Sequence, residues 1–495
     1  MILKEILKGL RIKQIRGETD KKIKGLTDNS KEVKEDYLFV AVKGRFFDGH
    51  KFIPEALRKG AKVIVGEEKF SFLPFSVTWV EVEDSRQALS LLCERFYGNP
   101  SLFLNVVGIT GTNGKTTTSY LISSILEVAG ENVGRIGTVG YSWGDRCIPS
   151  SYTTPPPPLL EKILGEMKEE RVKWVIMEVS SHALHLRRVE GVNFQSAIFT
   201  NVTREHLDFH GTFKDYLTSK LRLIDLLTKS KKERKFLVIN KDSPYLRDIN
   251  LPTSFPVYWY GCNSVPLKGY IKEMNWEGME IEVYAGSKKE NFSFPLTGEF
   301  NLYNALASIS WARGEGIDWG TIRKGLRETS RVPGRMEVMG DREIKVVVDY
   351  AHTPDALESL LKTLRKMTPG KVITVFGCGG NRDRGKRPLM GKVASQYSDY
   401  IFLTNDNPRE EDPLQIIKDI EKGIDGDCRW EVIPDREEAI YRGIMTAEKG
   451  DCVTVAGKGH ENYQIFGDVV LPFSDREVVK KFLKERKKRR VKICS

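Results

Sequence analysis

The stretch that decides the fold is Phe103-Leu104-Asn105-Val106-Val107-Gly108-Ile109-Thr110-Gly111-Thr112-Asn113-Gly114-Lys115-Thr116-Thr117. Its apolar first half, 103–109, predicts a buried β-strand. Its second half has the glycines and the Lys-Thr pair of a phosphate-binding loop, with the first glycine placed at Gly108. In such a loop, backbone N–H groups converge on phosphate oxygens, the lysine reaches the β- and γ-phosphates, and the hydroxyl binds Mg²⁺. We therefore predict that this segment binds a nucleotide.

Strands and helices alternate beyond this loop. Within residues 101–331, buried-type strands are predicted at 174–177, 197–199 and 236–239, with helical stretches between them. This alternation indicates a mostly parallel α/β sheet. Residues 257–297 instead alternate aromatic and β-branched side chains between turns, and they predict an antiparallel excursion from the same domain.

Two further α/β blocks flank the central one. Residues 1–100 contain predicted strands at 37–42 and 61–65, with a helix at 54–59 between them. Residues 332–495 are typical of a doubly wound, Rossmann-like sheet, with helices such as 355–367 between the strands. The strands of this last block are predicted at 346–348, 372–376, 400–403 and 453–456. We therefore predict three domains: 1–100, 101–331 and 332–495.

The composition is that of an ordinary globular protein. The chain has 495 residues, 40% of them hydrophobic and 29% charged, which suggests about three domains. No apolar run reaches the ~20 residues of a membrane-spanning helix, and the N-terminus lacks a secretory signal, so we expect a cytoplasmic protein. Seven scattered cysteines predict neither a zinc cluster nor a disulfide framework. Of the net charge of +11, the tail Lys484–Lys492 contributes +6, which disfavours nucleic acid as a partner.

Two charged residues of the central block carry different weight. Glu178 directly follows the strand 174–177, at the end of a strand where α/β proteins bind ligands, and its carboxylate can hold Mg²⁺. An acid in this place is equally compatible with a helix cap. Lys220 lies in the predicted helix 216–227, and by itself it predicts only a solvated surface lysine.

A second polar cluster follows the strand 197–199. His206 is a candidate metal ligand, Asp208 a candidate supporting acid, and Asn201 a candidate contact to phosphate or amide. A single histidine is more often a packing or surface residue. Three polar side chains just beyond one strand favour a site.

The third block has polar loops after four of its strands. The glycine-rich loop contains four Lys and Arg residues, and arginine binds carboxylates in a bidentate manner. A zwitterionic substrate needs both signs of charge, which Asp406 and Glu461 supply for ammonium groups and Arg382 and Arg409 for carboxylates. The loops are Asp349-Tyr350-Ala351-His352, Gly377–Pro388, Asp406–Arg409 and Gly457–Glu461.

In their order along the chain, these motifs resemble those of the Mur ligases of bacterial cell-wall synthesis. The motifs are Gly-Thr-Asn-Gly-Lys-Thr-Thr, Glu-Val-Ser-Ser-His, His-Leu-Asp-Phe-His-Gly, Asp-Tyr-Ala-His-Thr-Pro-Asp, Gly-Lys-Arg-Pro, Asp-Asn-Pro-Arg and Gly-Lys-Gly-His-Glu. The resemblance implies a UDP-binding N-terminal domain, a central P-loop ATPase and a C-terminal Rossmann-like domain. It further implies an ATP-dependent ligase that adds meso-2,6-diaminopimelate to the D-glutamate of UDP-MurNAc-L-Ala-D-Glu through an acyl phosphate.

The resemblance also implies roles for individual residues, with Lys115, Lys220 and His206 as catalytic groups. ATP would be bound by Gly111, Thr112, Asn113, Gly114, Lys115, Thr116, Thr117, Asn301, Asn304, Arg335 and Asp349. The UDP-MurNAc-dipeptide would be bound by Ser30, Arg45, Phe46, Phe47, Thr153, Thr154, Ser180 and Arg188. Diaminopimelate would be bound by Arg382, Asp406, Asn407, Pro408, Arg409, Gly457 and Glu461. Two Mg²⁺ ions would be held by Thr116, Glu178, His206 and a carbamate on Lys220.

Chemistry supports two of these implied roles. A lysine must be neutral to react with CO₂, and buried lysines lose their proton more readily, which is what the role implied for Lys220 requires. Arg409 can pair with the second carboxylate of diaminopimelate, which lysine lacks. The chain departs from the family pattern at Leu186, where many relatives have Gln, and at Tyr152, where some have Asn, so we expect the substrate contacts there to differ.

Three alternatives remain open from the sequence. Two are enzymes of related construction, a lysine-adding ligase and a folylpolyglutamate synthetase, and the latter is disfavoured by the N-terminal block. The third is a nucleotide-dependent switch that binds nucleic acid through its basic tail, which is disfavoured because the chain lacks an Asn-Lys-x-Asp guanine signature. We expect the enzyme to act as a monomer.

Overall fold

The computed structural model describes residues 1–44, 47–68, 73–251, 254–426 and 428–494. Two of the predicted substrate residues, Arg45 and Phe46, lie outside this part of the chain. The described residues form three large sheets that follow one another in sequence, and a small two-stranded sheet. The predicted three-part α/β architecture is confirmed. The stated domain limits, at residues 100 and 331, stay a prediction.

The first sheet has five strands and is parallel except at one edge. Its strands and the neighbouring helices are β1 (Ile12–Arg16), β2 (Gly25–Thr27), β3 (Tyr37–Val40), β4 (Ala61–Gly66), β5 (Thr78–Val82), α1 (Leu3–Leu7), α2 (Ile53–Arg58) and α3 (Ser85–Phe96). The strand order is β1-β5-β4-β3-β2, and only β1 runs antiparallel to its neighbour. Because successive side chains alternate in direction, each face of this sheet carries its own apolar cluster.

The central sheet is the largest. Its strands are β6 (Asn105–Thr110), β7 (Val133–Ile136), β8 (Tyr141–Trp143), β9 (Arg146–Ile148), β10 (Trp174–Glu178), β11 (Phe194–Phe199), β12 (Phe236–Asn240), β13 (Val257–Gly261), β14 (Leu267–Met274), β15 (Met279–Ala285) and β16 (Lys288–Phe294). Its helices are α4 (Lys115–Val128), α5 (Pro157–Glu169), α6 (Ser181–His185), α7 (Leu207–His210), α8 (Phe213–Lys229), α9 (Glu299–Glu315) and α10 (Trp319–Glu328). The strand order is β16-β15-β14-β13-β12-β11-β6-β10-β7-β8-β9. Apolar clusters cover both faces, as a parallel sheet requires.

Two predictions for this sheet were partly wrong. The strand predicted at 103–109 begins only at Asn105, because Pro100–Leu102 form a single 3₁₀ turn before it. The antiparallel excursion predicted for 257–297 begins at β14, since β13 pairs parallel with both β12 and β14. The chain between β12 and β13 is long enough to return to the end of the sheet at which β12 starts, as a parallel connection requires.

The third sheet is doubly wound. Its elements are β17 (Glu337–Gly340), β18 (Lys345–Asp349), β19 (Val372–Phe376), β20 (Tyr400–Leu403), β21 (Arg429–Val432), β22 (Cys452–Ala456), α11 (Pro354–Met367), α12 (Lys386–Tyr397), α13 (Pro413–Glu421), α14 (Arg436–Thr446) and α15 (Asp475–Cys494). The strand order is β17-β18-β22-β19-β20-β21, with only β17 antiparallel. A separate hairpin consists of β23 (Tyr463–Phe466) and β24 (Val469–Pro472).

Strand register brings the predicted motifs together. In the central sheet, β6 lies between β10 and β11, with Glu178 beside Ile109 and Phe199 beside Thr110. The carboxyl ends of these three strands therefore meet at one edge, where the phosphate loop begins. In the third sheet, β22 lies between β18 and β19, and the loops after these strands meet in the same way.

Candidate active site

One large cavity joins the three sheets. Its volume is about 2150 Å³, which exceeds the ~300–1,000 Å³ of a site for one small ligand. Residues of the first sheet's loops line one part of it, for example Asp28. The phosphate loop and Glu178 line the middle, and the loops of the third sheet, including Arg409, line the far end. A cavity of this size has room for several substrates at once.

The phosphate loop turns sharply between β6 and α4. Gly111 and Gly114 have φ angles of +151° and +87°, which glycine adopts without strain. A Cβ at Gly111 would lie 1.9 Å from the hydroxyl of Thr200, so no larger residue fits there. Gly108 was wrongly placed as the first glycine of the loop, because it lies inside β6 and packs against Phe194.

Two lysines converge on one carbonyl of this loop. The ammonium groups of Lys115 and Lys220 each donate a hydrogen bond of 2.8 Å to the carbonyl oxygen of Gly111. Burial lowers the pKa of Lys115, and burial together with the charge of Lys115 lowers the pKa of Lys220 well below its ordinary value. Lys220 is only 2% exposed, so the prediction of a solvated lysine was wrong. It lies on the buried stripe of α8 with Tyr216 and Leu223.

The carboxylate of Glu178 is hydrogen-bonded to the phosphate loop. One of its oxygens accepts hydrogen bonds of 2.9 Å from both the Thr116 and the Thr138 hydroxyls, and the other accepts one of 3.0 Å from the N–H of Thr138. A buried carboxylate beside a threonine hydroxyl offers the hard oxygen ligands that Mg²⁺ prefers. The residues therefore fit a magnesium ion between the phosphate loop and Glu178.

His206 lines the same cavity. It immediately precedes α7 and has a φ of +56°, and its Nε2 lies 3.5 Å from Glu205. Burial lowers the pKa of His206, which keeps the ring in the neutral form that can bind a metal. Its ring contacts that of His182. Within the described ranges, no three His, Cys, Asp or Glu side chains are already arranged around a metal position.

The other predicted ATP residues surround the loop from two domains. Asn304 lies against Gly114 and donates to Asn301, which in turn donates to the carbonyl of Thr297. Arg335, from the segment before the third sheet, donates a 3.2 Å hydrogen bond to the Thr116 hydroxyl. Asp349 accepts a 2.6 Å bond from the N–H of Met336, and burial raises its pKa.

The predicted dipeptide residues of the central sheet form a continuous polar strip. The Thr154 hydroxyl donates to the carbonyl of Glu178 and accepts from the N–H of Ser180. Arg188 donates a 3.0 Å bond to the carbonyl of Thr154, and its guanidinium lies 4.8 Å from the ring centre of Tyr152. Tyr152 therefore meets the arginine through its aromatic face, where a relative with Asn offers an amide.

Five of the predicted residues that the structure describes do not line the cavity. The Ser30 hydroxyl donates to Glu55 at 2.6 Å, and the neighbouring residues of its loop face the cavity instead. Phe47 is 75% exposed. The five residues are Ser30, Phe47, Thr154, Asn301 and Pro408.

The third sheet supplies a charged end to the cavity. Asn407 donates a 3.1 Å hydrogen bond to Glu461. Gly457 has a φ of +116°, and a Cβ there would lie 2.6 Å from an oxygen of Asp406. Arg409 has a φ of +54°, and its guanidinium donates to the carbonyl of Gly380. Two carboxylates and an arginine from two loops thus meet at this end, and Arg382 from a third loop lines the same wall.

Comparisons with known proteins agree over nearly the whole chain. Residues 22–97, 109–312 and 334–459 match the Mur ligase family, as its catalytic domain, its middle domain and its glutamate ligase domain. A UDP-N-acetylmuramoyl-L-alanyl-D-glutamate–2,6-diaminopimelate ligase of Clostridium botulinum is 43% identical, over 98% of this chain and 100% of that protein. The enzyme of the same name from Aquifex aeolicus is 45% identical over 94% of each chain. The chain belongs to the Mur ligase family.

A solved structure supports the same assignment. A structure of a UDP-N-acetylmuramoyl-L-alanyl-D-glutamate–2,6-diaminopimelate ligase matches 98% of this chain and 99% of its own, with 31% identity and a TM-score of 0.68. As a Mur ligase, the protein is an ATP-dependent ligase that forms ADP. This membership sets aside the nucleotide-dependent switch considered from the sequence. Among the described residues, no helix combines the length and apolarity that crossing a bilayer requires.

Several residues near the Mur ligase site were not predicted from the sequence. Lys458 is buried behind Asn407 and Glu461. His352 bridges the central and third sheets through a 3.0 Å contact with Glu205. Both residues belong to polar loops that the sequence analysis identified, because these loops directly follow predicted strands. Which neighbour each side chain contacts depends on tertiary packing that the local pattern does not contain.

Proposed function

We propose that this Mur ligase adds meso-2,6-diaminopimelate to the D-glutamate of UDP-MurNAc-L-Ala-D-Glu in peptidoglycan precursor synthesis. The observation that carries the proposal is the third-sheet end of the cavity. It presents Asp406, Glu461 and Arg409 on the same cavity that holds the phosphate loop. A diamine with two carboxylates needs this combination of charges. The names of the two curated relatives support the same substrate.

The proposed reaction has two steps. An oxygen of the D-glutamate side-chain carboxylate forms a bond to the γ-phosphorus of ATP, and the bond between that phosphorus and the β,γ-bridging oxygen breaks to release ADP. The neutral amine of diaminopimelate then forms a C–N bond to the acyl carbon, phosphate leaves with the electron pair of the C–O bond, and the amine loses a proton. Lys115 stabilises charge on the transferring phosphoryl group, which is mainly an electrostatic task.

Mg²⁺ would be held by the oxygens of Thr116 and Glu178 at one position. The second position would use His206 and a carbamate on Lys220. Bound there, the ions would offset the negative charge of the phosphates. Lys220 suits carbamylation because it is buried with a lowered pKa. A carbamate on Lys220 would also place a negative charge beside the ammonium of Lys115.

Substrate recognition is divided among the three sheets. The predicted ATP residues surround the phosphate loop, and Arg188 with Thr153 and Ser180 would contact the dipeptide. Arg382, Asp406, Asn407, Arg409, Gly457 and Glu461 would contact diaminopimelate. We further propose that the enzyme works in the cytoplasm as a monomer and without a nucleic-acid partner.

The test is phosphate release from ATP in the presence of UDP-MurNAc-L-Ala-D-Glu. The reaction is run with meso-diaminopimelate, with L-lysine and without an amine. We expect turnover that depends on diaminopimelate and is at least about tenfold slower with lysine, because Arg409 pairs with a carboxylate that lysine lacks. Turnover with lysine that equals or exceeds turnover with diaminopimelate would contradict the proposed substrate.

A further inference from the structure

A fully buried lysine lies directly behind the charged end of the cavity. Lys458 follows β22, is 0% exposed and does not line the cavity. Its ammonium lies 2.9 Å from Glu461 Oε2, 3.1 Å from Asn407 Oδ1 and 4.0 Å from Asp406 Oδ1. It therefore contacts the polar groups of the wall from the side that faces away from a substrate.

Burying an ammonium group is costly unless hydrogen bonds and opposite charge compensate for the lost water. Here the compensation comes from the residues that face the cavity, Glu461 and Asn407. Without Lys458, two carboxylates, Asp406 and Glu461, would share one wall with one buried cation fewer. The Lys458 ammonium thus affects the charge of the cavity wall, although it cannot touch a molecule inside the cavity.

The bonds to Asn407 fix which end of its amide faces which neighbour. Its oxygen accepts from the ammonium of Lys458 and, at 3.1 Å, from the N–H of Ile465 in β23. With the oxygen held by two donors, the amide nitrogen is directed to Glu461, to which it donates at 3.1 Å. Glu461 is in turn held through the same oxygen by Lys458. The three side chains form a closed triangle, and Asn407 and Glu461 present it to the cavity.

We infer that Lys458 is a positioning residue for the amine substrate, because it holds Asn407 and Glu461 in the orientation that receives an ammonium group. The inference rests on the proposed function, since it assumes that the amine binds at this end of the cavity. A preformed wall of fixed dipoles binds a cationic group without first paying the entropy of ordering its side chains.

The test compares Lys458→Met, which keeps length and removes charge, with Lys458→Arg, which keeps the charge. We expect Lys458→Met to raise the KM for diaminopimelate by about 10- to 100-fold, the range for lost hydrogen bonds to charged groups. The KM values for ATP and for UDP-MurNAc-L-Ala-D-Glu should stay within about twofold. Lys458→Arg should recover part of the loss.

Val453→Ala is the matched control. Val453 lies in β22, is equally buried and faces the apolar cluster away from the cavity. It controls for general destabilisation of the third sheet. Equal changes in all three KM values for Lys458→Met and Val453→Ala would overturn the inference. So would an unchanged or lower KM for diaminopimelate in a folded Lys458→Met protein.

A second measurement keeps the two proposals separate. If the wild-type enzyme does not use diaminopimelate, the proposed function fails, and the crystal structure of Lys458→Met, or of Lys458→Gln if the first does not fold, decides the role of Lys458. We expect Asn407 and Glu461 to lose their mutual hydrogen bond in that structure. If both side chains keep it, Lys458 does not position them and the inference is wrong.

Discussion

The two ends of the cavity are built in different ways. At the nucleotide end, one continuous loop, 111–117, supplies backbone groups at the start of α4. At the amine end, the loops after three strands supply side chains, and buried cations hold them. Arg436 there pairs with Asp475 through bonds of 2.7 and 2.8 Å and donates to the carbonyl of Ala456, the last residue of β22. A backbone site is local in sequence, whereas a side-chain site depends on residues far apart along the chain.

We expect the largest loss of activity from a substitution at the nucleotide end. Lys115→Ala should lower kcat by about 10³-fold, because the lysine is the one charged residue of the loop and would offset charge on the transferring phosphoryl group. The measurement is phosphate release at saturating substrates. Lys229→Ala is the control, since Lys229 is an exposed residue at the end of α8. Activity of Lys115→Ala within tenfold of the control would show that this loop does not perform the phosphoryl transfer.

The next effect concerns Lys220. Lys220→Met should lower kcat by about 10²-fold, because the variant loses the carbamate that would hold the second Mg²⁺. Wild-type enzyme incubated with ¹³C-bicarbonate should show a carbamate carbon signal by NMR that Lys220→Met lacks. A signal of equal intensity in the variant would place the carbamate on another amine and remove this role from Lys220.

At the amine end, Arg409→Ala should act on one substrate only. We expect the KM for diaminopimelate to rise about 10- to 100-fold, with kcat/KM for L-lysine little changed, because only diaminopimelate has the second carboxylate. Arg429→Ala, which removes an exposed arginine of β21, is the control. An equal loss with both amines would mean that Arg409 supports the loop rather than selecting the substrate.

The smallest effect lies outside the cavity, at Glu161 in α5. This carboxyl is 0% exposed, and neither oxygen has a hydrogen-bond partner among the described residues. Burial, and then the charge of Glu94, raises its pKa well above the ordinary 4.5. Its contribution to stability is therefore present below pH 4.5 and is lost as the pH rises through the folded-state pKa.

Glu161→Gln cannot ionise, so it should remove this loss. Its melting temperature should exceed that of the wild type increasingly as the pH rises above 4.5, by an amount equivalent to roughly 1 kcal/mol or more near neutral pH. Glu169→Gln, an exposed residue on the same helix, should follow the wild-type curve. Parallel curves for wild type and Glu161→Gln would show that Glu161 does not titrate in this range.

The difference between the two ends also explains what the sequence could predict. The phosphate loop, the strands around it and the polar loops after β19, β20 and β22 follow from local patterns, since each pattern is contiguous. The burial of Lys220 was recoverable, because it lies four residues after Tyr216 and three before Leu223 on the apolar stripe of α8. The contacts of Lys458 could not be predicted from the sequence, because they join loops that only the folded sheet brings together.

Competition between the two amines is the most direct test of whether the enzyme selects diaminopimelate over L-lysine. Diaminopimelate and L-lysine are supplied at equal concentration with ATP and UDP-MurNAc-L-Ala-D-Glu, and the two tripeptide products are counted by mass spectrometry at low conversion. Their ratio is the ratio of the kcat/KM values. We expect an excess of the diaminopimelate product of at least about tenfold. Equal amounts of the two products, or an excess of the lysine product, would contradict the proposed substrate.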